Sequence, residues 1–284
     1  MPSFATPEPV LALVDVNGFV LTAYAGDRAE TTVDLRPHNP ARAADVELAE
    51  ETTVNLAEGR LVVRSPRTTR SRLRHLFGGG PRVDIRVQLP AGSALEVRGW
   101  GDVTAEGPLD TVDIDTAMGD VDIDRAAGRV RAKTSMGDIR VGSAAGPADL
   151  RTAAGSVRVG RAGSDVTVRT SAGDVRVDDA EGELRLSTSA GDIRVERASS
   201  AVSAKASAGD IRLHSVRSGS VSAECAYGRL EIGIARGAAA WLDVEARHGV
   251  LRSELEPTDG PGEAETTVEI HARAGYGDIV LRRA

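Results

Sequence analysis

One cysteine in 284 residues leaves no intramolecular disulfide to form. Cys225 is therefore expected as a free, half-buried thiol, and a cytoplasmic location is expected because nothing points to an oxidising compartment. Aromatic residues make up only 3%, which excludes a core built from large rings. The 41% apolar content rests mostly on Val, Ile, Leu and Ala, so the core must be thin. No window of 18 apolar residues occurs, which excludes a membrane-spanning helix. Residues 1–24 hold no Lys or Arg and place Glu8, Asp15 and Asn17 in their most apolar stretch, so no secretory signal is expected. An excess of positive charge is missing too. The net charge of −7 argues against attraction of the whole protein to nucleic acid or an anionic membrane, leaving that role to a local basic patch.

What the chain has in quantity is glycine, 31 residues, and seven of them stand 18 apart: Gly101, Gly119, Gly137, Gly155, Gly173, Gly191 and Gly209. All but Gly155, which precedes Ser156, are followed by Asp. The recurring pattern is Gly-Asp-Val/Ile-Arg-Val, then a turn, then a second short run such as Val112-Asp113-Ile114 or Val166-Thr167-Val168. Apolar residues alternate, the period-2 signal of strands with one face buried, and no helical period fits. Strands nine residues apart are too close for a helical crossover, while a coil of two strands per turn repeats in phase. The fold class that follows is all-β: a single-stranded parallel β-solenoid, 18 residues and two short strands per coil, expected to be right-handed, with irregular caps at both ends.

One inward column is then Val103, Val121, Ile139, Val157, Val175, Ile193 and Ile211, and the facing one Val112, Val130, Ala148, Val166, Leu184 and Val202. The seven glycines serve as structural turns, supplying corners at positive φ, and the following Asp accepts a hydrogen bond from the turn backbone. Thr116, Thr134, Thr152, Thr170 and Thr188 form a hydroxyl column that satisfies backbone groups or one another. The period slips to 19 between Ile211 and Leu230, through one residue inserted around His214 to Ser220.

As organisation, residues 1–97 are expected as an N-terminal β-rich cap with a short helix near Ala41–Glu51 and a basic loop at 64–82. Residues 98–236 form the regular array, and 237–284 the C-terminal coils and cap, in one continuous domain. Trp100 and Trp241 flank the array and are read as packing residues.

The Ser/Thr-Ala-Gly-Asp-Val/Ile-Arg-Val units, Ala239-Ala240-Trp241-Leu242-Asp243-Val244 and the closing Gly277-Asp278-Ile279 resemble the bacterial β-strand-repeat family labelled "putative adhesin", of actinobacterial type. The resemblance runs from about Glu8 to Arg282. It implies the solenoid fold and an adhesin-like role, and it carries no catalytic or cofactor residues onto this chain.

Arg140, Arg158, Arg176, Arg194 and Arg212 make a charged outer face, one guanidinium per coil at about 4.8 Å spacing, suited to an anionic polymer. Against this, Asp138, Asp174, Asp192 and Asp210 stand two residues earlier on the same face, and pairing within the rod would neutralise the stripe. The Asp columns also raise calcium, but the Gly-Gly-x-Gly-x-Asp signature of calcium β-rolls is absent. The sharpest local anomaly is the segment 64–82, with six Arg and no carboxylate. Arg64, Arg67, Arg70, Arg72, Arg74, Leu76 and Phe77 are its candidate interaction residues. It is either a docking loop or a tolerated insertion kept soluble by its charge. His38, His75, His214, His248 and His271 show no metal-ligand spacing, and no Ser lies in a nucleophile elbow.

The expectation is a non-enzymatic scaffold or interaction protein, with no cofactor and no metal. A protein is its expected partner, with nucleic acid or an acidic membrane reached only through the 64–82 loop. Alternatives are a self-assembling filament element and, further off, a carbohydrate-active β-helix or a calcium-binding β-roll.

Overall fold

A computed structural model describes residues 2–66, 80–255 and 266–284. The chain is nearly all-β, 69% strand with one helix, and it has the parallel β-solenoid fold that the 18-residue period predicts. Contacts divide it into two units, Met1–Gly137 and Asp138–Ala284, a boundary that falls inside the 98–236 array.

In the second unit every strand pairing among the described residues is parallel, and from Ile139 to Ile234 the pairings follow the repeat. One sheet stacks Ala148–Ala154, Val166–Ala172, Leu184–Ala190, Val202–Ala208 and Gly219–Tyr227. The other stacks Ile139–Ala144, Val157–Ala162, Val175–Ala180, Ile193–Ala198, Ile211–Val216 and Leu230–Ile234. The expected inward columns are the core: Val157, Val175, Ile193 and Ile211, and facing them Val166, Leu184 and Val202, are each 1% exposed or less. β-Branched side chains fill this narrow slot because their stiff χ1 suits a pleated, fully covered surface. The inserted residue lies between Val216 and Val221, since Ala198 pairs with Val216 at a separation of 18 and Val202 with Val221 at 19.

The end of this unit departs from chain order. Thr266–Tyr276 pairs with Gly219–Tyr227 on one side and with Ala238–His248 on the other. Ile279–Arg283 likewise lies between Leu230–Ile234 and Leu251–Ser253. The coil that is last in sequence is thus threaded between two earlier ones, and Ala238–Ser253 forms the outer edge.

In the first unit the expected cap begins with solenoid. Leu11–Gly26 is one bent strand whose two halves pair in parallel with the two halves of Ala94–Leu109, a full coil in its own right. Its other side is covered by Arg60–Arg64 and Val83–Pro90, also parallel. These pass to short antiparallel strands, Thr53–Ala57 and Glu30–Pro37, the latter flanked by Ser3–Ala5. The helix Ala43–Glu51 has the buried Asp45, whose two oxygens accept the backbone N–H groups of Asn39 and Arg82 at 3.1 Å each and so fix the chain on either side.

Candidate functional site

The corners explain the most repetitive residues. Gly173 and Gly191 have φ of 144° and 142°, and a Cβ on either would lie 2.0 or 2.2 Å from the carbonyl oxygen of the corner glycine one coil before. Only glycine meets both conditions. The corner carboxylates hold the stack together: Asp138 Oδ1 accepts from Ser156 N–H, Asp174 from Asp192, Asp192 from Asp210 and Asp210 from Arg229, at 2.8–2.9 Å. Thr170 and Thr188 donate from Oγ1 to the carbonyls of Gly155 and Gly173. In the first unit Thr116 and Thr134 do the same with Gly101 and Gly119. The hydroxyl column therefore satisfies backbone groups.

The Arg ladder lies on one outer face of the second unit. Arg140 meets Asp138 at 2.9 Å, Arg194 meets Asp192 at 3.6 Å, and Arg212 meets Asp210 at 2.5 Å and Asp192 at 3.2 Å. Two rungs depart from the expected pairing. Arg158, whose corner residue is Ser156 and brings no carboxylate, turns to Asp178 at 3.0 Å, and Arg176 bypasses Asp174 for Asp178 at 2.8 Å and Glu196 at 3.1 Å. Burial raises the Asp178 pKa, but the hydrogen bonds from Arg176 and Arg158 outweigh it and hold the carboxyl below its ordinary value. The groove along this face is lined by Asp138, Ser156, Asp174 and Asp192 as well as four of the arginines, and encloses about 230 Å³. That is smaller and more mixed in charge than a typical ligand pocket of about 300–1,000 Å³. In the first unit Asp113 stands opposite Arg131 as expected, yet its carboxylate is held by Arg98 at 3.1 and 3.2 Å.

Of the basic-loop residues, Arg64 lies in the strand Arg60–Arg64 with Nε 3.4 Å from Asp15. Arg67, Arg70, Arg72, Arg74, Leu76 and Phe77 lie outside the described residues. Among the described residues there is no group of three or more His, Cys, Asp or Glu able to hold a metal ion, and no helix long and apolar enough to cross a membrane.

The repeat hides a different concentration of exposed chemistry at the outer coils of the second unit. Trp241, Leu242, Val250 and Leu251 are 57%, 38%, 52% and 47% exposed. Leu242 and Leu251 sit in the columns of Ile270 and Ile279, their paired neighbours, both fully buried. Beside them the residues before three corner glycines stack: Tyr227 on Tyr276 with ring centres 5.1 Å apart, and Tyr276 on His248 at 4.5 Å. The pattern Tyr227-Gly228, His248-Gly249, Tyr276-Gly277 was a sequence signal for this ladder, since the same position holds Ala in Ala172, Ala190 and Ala208. Trp241 packs edge-on against His271, which lies 3.3 Å from Asp243 and 3.1 Å from Glu269. A hydrogen bond from Arg273 above all, with His271 adding to it, holds the Asp243 carboxyl below its ordinary pKa.

No curated protein matches the chain. Solved structures resemble it at low identity. One, described as a "putative adhesin" from Bacteroides fragilis, is 12% identical with a TM-score of 0.44, covering 99% of this chain and 95% of that one. Another so described, from Parabacteroides merdae, is 10% identical with a TM-score of 0.34, covering 99% and 94%. A "putative cell adhesion protein" from Clostridium sporogenes is 9% identical with a TM-score of 0.19, covering 100% and 98%. Residues 47–282, which take in the corner glycines, the Arg ladder and the outer coils, match the Toastrack DUF4097 family, and the chain belongs to it.

Proposed function

We propose that this chain is a non-catalytic, adhesin-like β-solenoid that serves as an interaction scaffold for a protein partner. The observation that carries the reading is the division of labour on its surface. Corner Asp, Thr and ladder Arg groups are engaged within the rod, whereas, among the described residues, six of the eight large apolar side chains that stand exposed belong to the coils from Tyr227 onward. Exposed apolar side chains gathered in one place mark interaction sites, while polar groups already paired offer a partner little. The Arg64–Arg82 segment is a second contact in the same proposal, and the route by which nucleic acid or an acidic membrane would be reached.

Proximity capture in native cells, followed by binding of the purified candidate to the purified chain, tests this. Binding that falls at least tenfold when Arg67, Arg70, Arg72 and Arg74 become Ser, or when Leu242 and Val250 become charged, supports it. A candidate held equally by all variants counts against it. A cytoplasmic location belongs to the proposal too and is checked by cell fractionation.

A further inference from the structure

The edge strand Ala238–His248 presents an unusual situation. Among the described residues it pairs on one side only, with Thr266–Tyr276, so its other row of N–H and C=O groups faces outward. Natural sheets blunt such edges with Lys, Pro or very short strands. The first unit follows that practice: Leu11–Gly26 is paired on both sides, and the outer strands Ser3–Ala5 and Thr53–Ala57 are three and five residues long. Ala238–His248 is eleven residues long, and residues 238–253 contain neither Lys nor Pro. Its inward columns stay open at Leu242 and Leu251, where the neighbouring coil is closed. By composition, residues 256–265 hold Pro257, Pro261, four carboxylates and no Val, Ile, Leu, Met or aromatic side chain.

We propose that this edge is an interface between two copies of the chain, each adding its Ala238–His248 strand antiparallel to the other across a two-fold axis. The inference rests on the interaction reading above and names the partner of that surface. Charge supports a second copy as occupant. The edge carries Asp243 and Glu245 followed by Arg247 and Arg252, a neutral set within a chain of net charge −7. Reversing the strand direction brings the acidic part opposite the basic part. A two-fold axis near Ala246, across which residues 244–248 of the two strands overlap, sets Glu245 against Arg247 twice in place of the loose 3.6 Å contact they make within one strand, and cross-strand pairs of opposite charge favour the register. A two-fold contact uses the same patch on both partners and closes, giving dimers and not filaments. Eleven and three strand residues per copy, in Ala238–His248 and Leu251–Ser253, fall short of the roughly 20–30 residues a side of a standard interface. The dimer should therefore dissociate in the micromolar range.

Sedimentation velocity of the full chain across the micromolar range, with amide hydrogen exchange at both ends of the series, tests the proposal. The expected result is a monomer–dimer equilibrium in which exchange at 238–248 slows as concentration rises, while exchange at 202–208 does not change. Leu242→Glu and, separately, the well-exposed Val250→Lys should each weaken dimerisation at least tenfold with thermal unfolding still cooperative. The wild-type exchange measurement stands even where a variant folds poorly. A monomer at every concentration, a dimer without slowed exchange at 238–248, or extended filaments would each overturn it. A monomer that binds a foreign protein through Leu242 and Val250 would sink the dimer and leave the scaffold reading in place.

Discussion

Cys225 Sγ lies 3.1 Å from the carbonyl oxygen of Gly209, the place that Thr188 Oγ1 takes against Gly173 at the same distance. The lone cysteine is thus a substitute member of the threonine column, and a thiol is the weaker donor. Burial, above other causes, pushes its pKa up, so the reactive thiolate is disfavoured. Cys225→Thr should hold or raise the melting temperature, whereas Thr188→Val should cost about 1–2 kcal/mol by leaving a corner carbonyl without its donor. A thiol-reactive dye should label the native chain very slowly and the urea-unfolded chain at once. Rapid labelling under native conditions would contradict this placement.

The corner glycines give a second, graded expectation. At Gly191 an added Cβ meets the Gly173 carbonyl oxygen at 2.2 Å, in addition to a φ of 142°. At Gly237 φ is 83° and nothing lies within 4 Å of the same atom. Gly191→Ala combines overlap with backbone strain and should cost more than about 3 kcal/mol, while Gly237→Ala should cost about 1–2 kcal/mol from strain alone. Urea midpoints of the two variants measure the difference. Equal losses would mean that the stacked carbonyls are not what demands glycine.

These same residues show why part of the fold was readable. A coil closed by Gly-Asp on an 18-residue period exposes its inward positions directly, and Val157, Val175 and Ile193 needed only alternation to be placed. The coil Leu11–Gly26 has no such corner: Asn17-Gly18-Phe19 stands where the others have Gly-Asp, and its neighbour Ala94–Leu109 follows, among the described residues, only after an inserted helix and four strands. The threading of Thr266–Arg283 between earlier coils left no mark for a different reason. Parallel strands in adjacent layers carry one inward pattern, so Ile270 and Leu242 look alike until their neighbours are known. The open edge is a property of that spatial order, and burial follows from it: the coil between two others has its column covered, and the outer one does not. Val268, Ile270, Ala272 and Ala274 are all buried, whereas Leu242 is not.

Asp178 links the Arg ladder to acid stability. Its folded pKa lies below the ordinary carboxylate value, so the native state binds fewer protons there than the unfolded state. The stabilisation is fully present above the unfolded pKa and disappears as the pH falls through the folded one. Asp178→Asn should therefore cost about 0.5–1 kcal/mol near neutral pH, the scale of a part-exposed ion pair. The gap from wild type should close in acid below the folded pKa. Urea unfolding of both proteins along a pH series checks the sign, and a gap that widens on acidification would refute it.

The corner aspartates also decide between a metal-binding stack and a hydrogen-bonded one. In a calcium site the carboxylate oxygens would face the ion. Here Asp192 Oδ1 accepts the Asp210 N–H at 2.9 Å, and its Oδ2 faces Arg212 at 3.2 Å. A carboxamide retains an oxygen acceptor that can keep the first of these bonds but brings no charge to a cation, whereas a methyl keeps neither. Asp192→Asn should thus stay close to wild type in stability, and Asp192→Ala should lose about 1 kcal/mol. Calorimetric titration with calcium into the millimolar range should give only heats of dilution, and a chelator should leave the melting temperature where it was. Saturable heat that Asp192→Asn abolishes would show that the column holds metal and would overturn its assignment as a backbone acceptor.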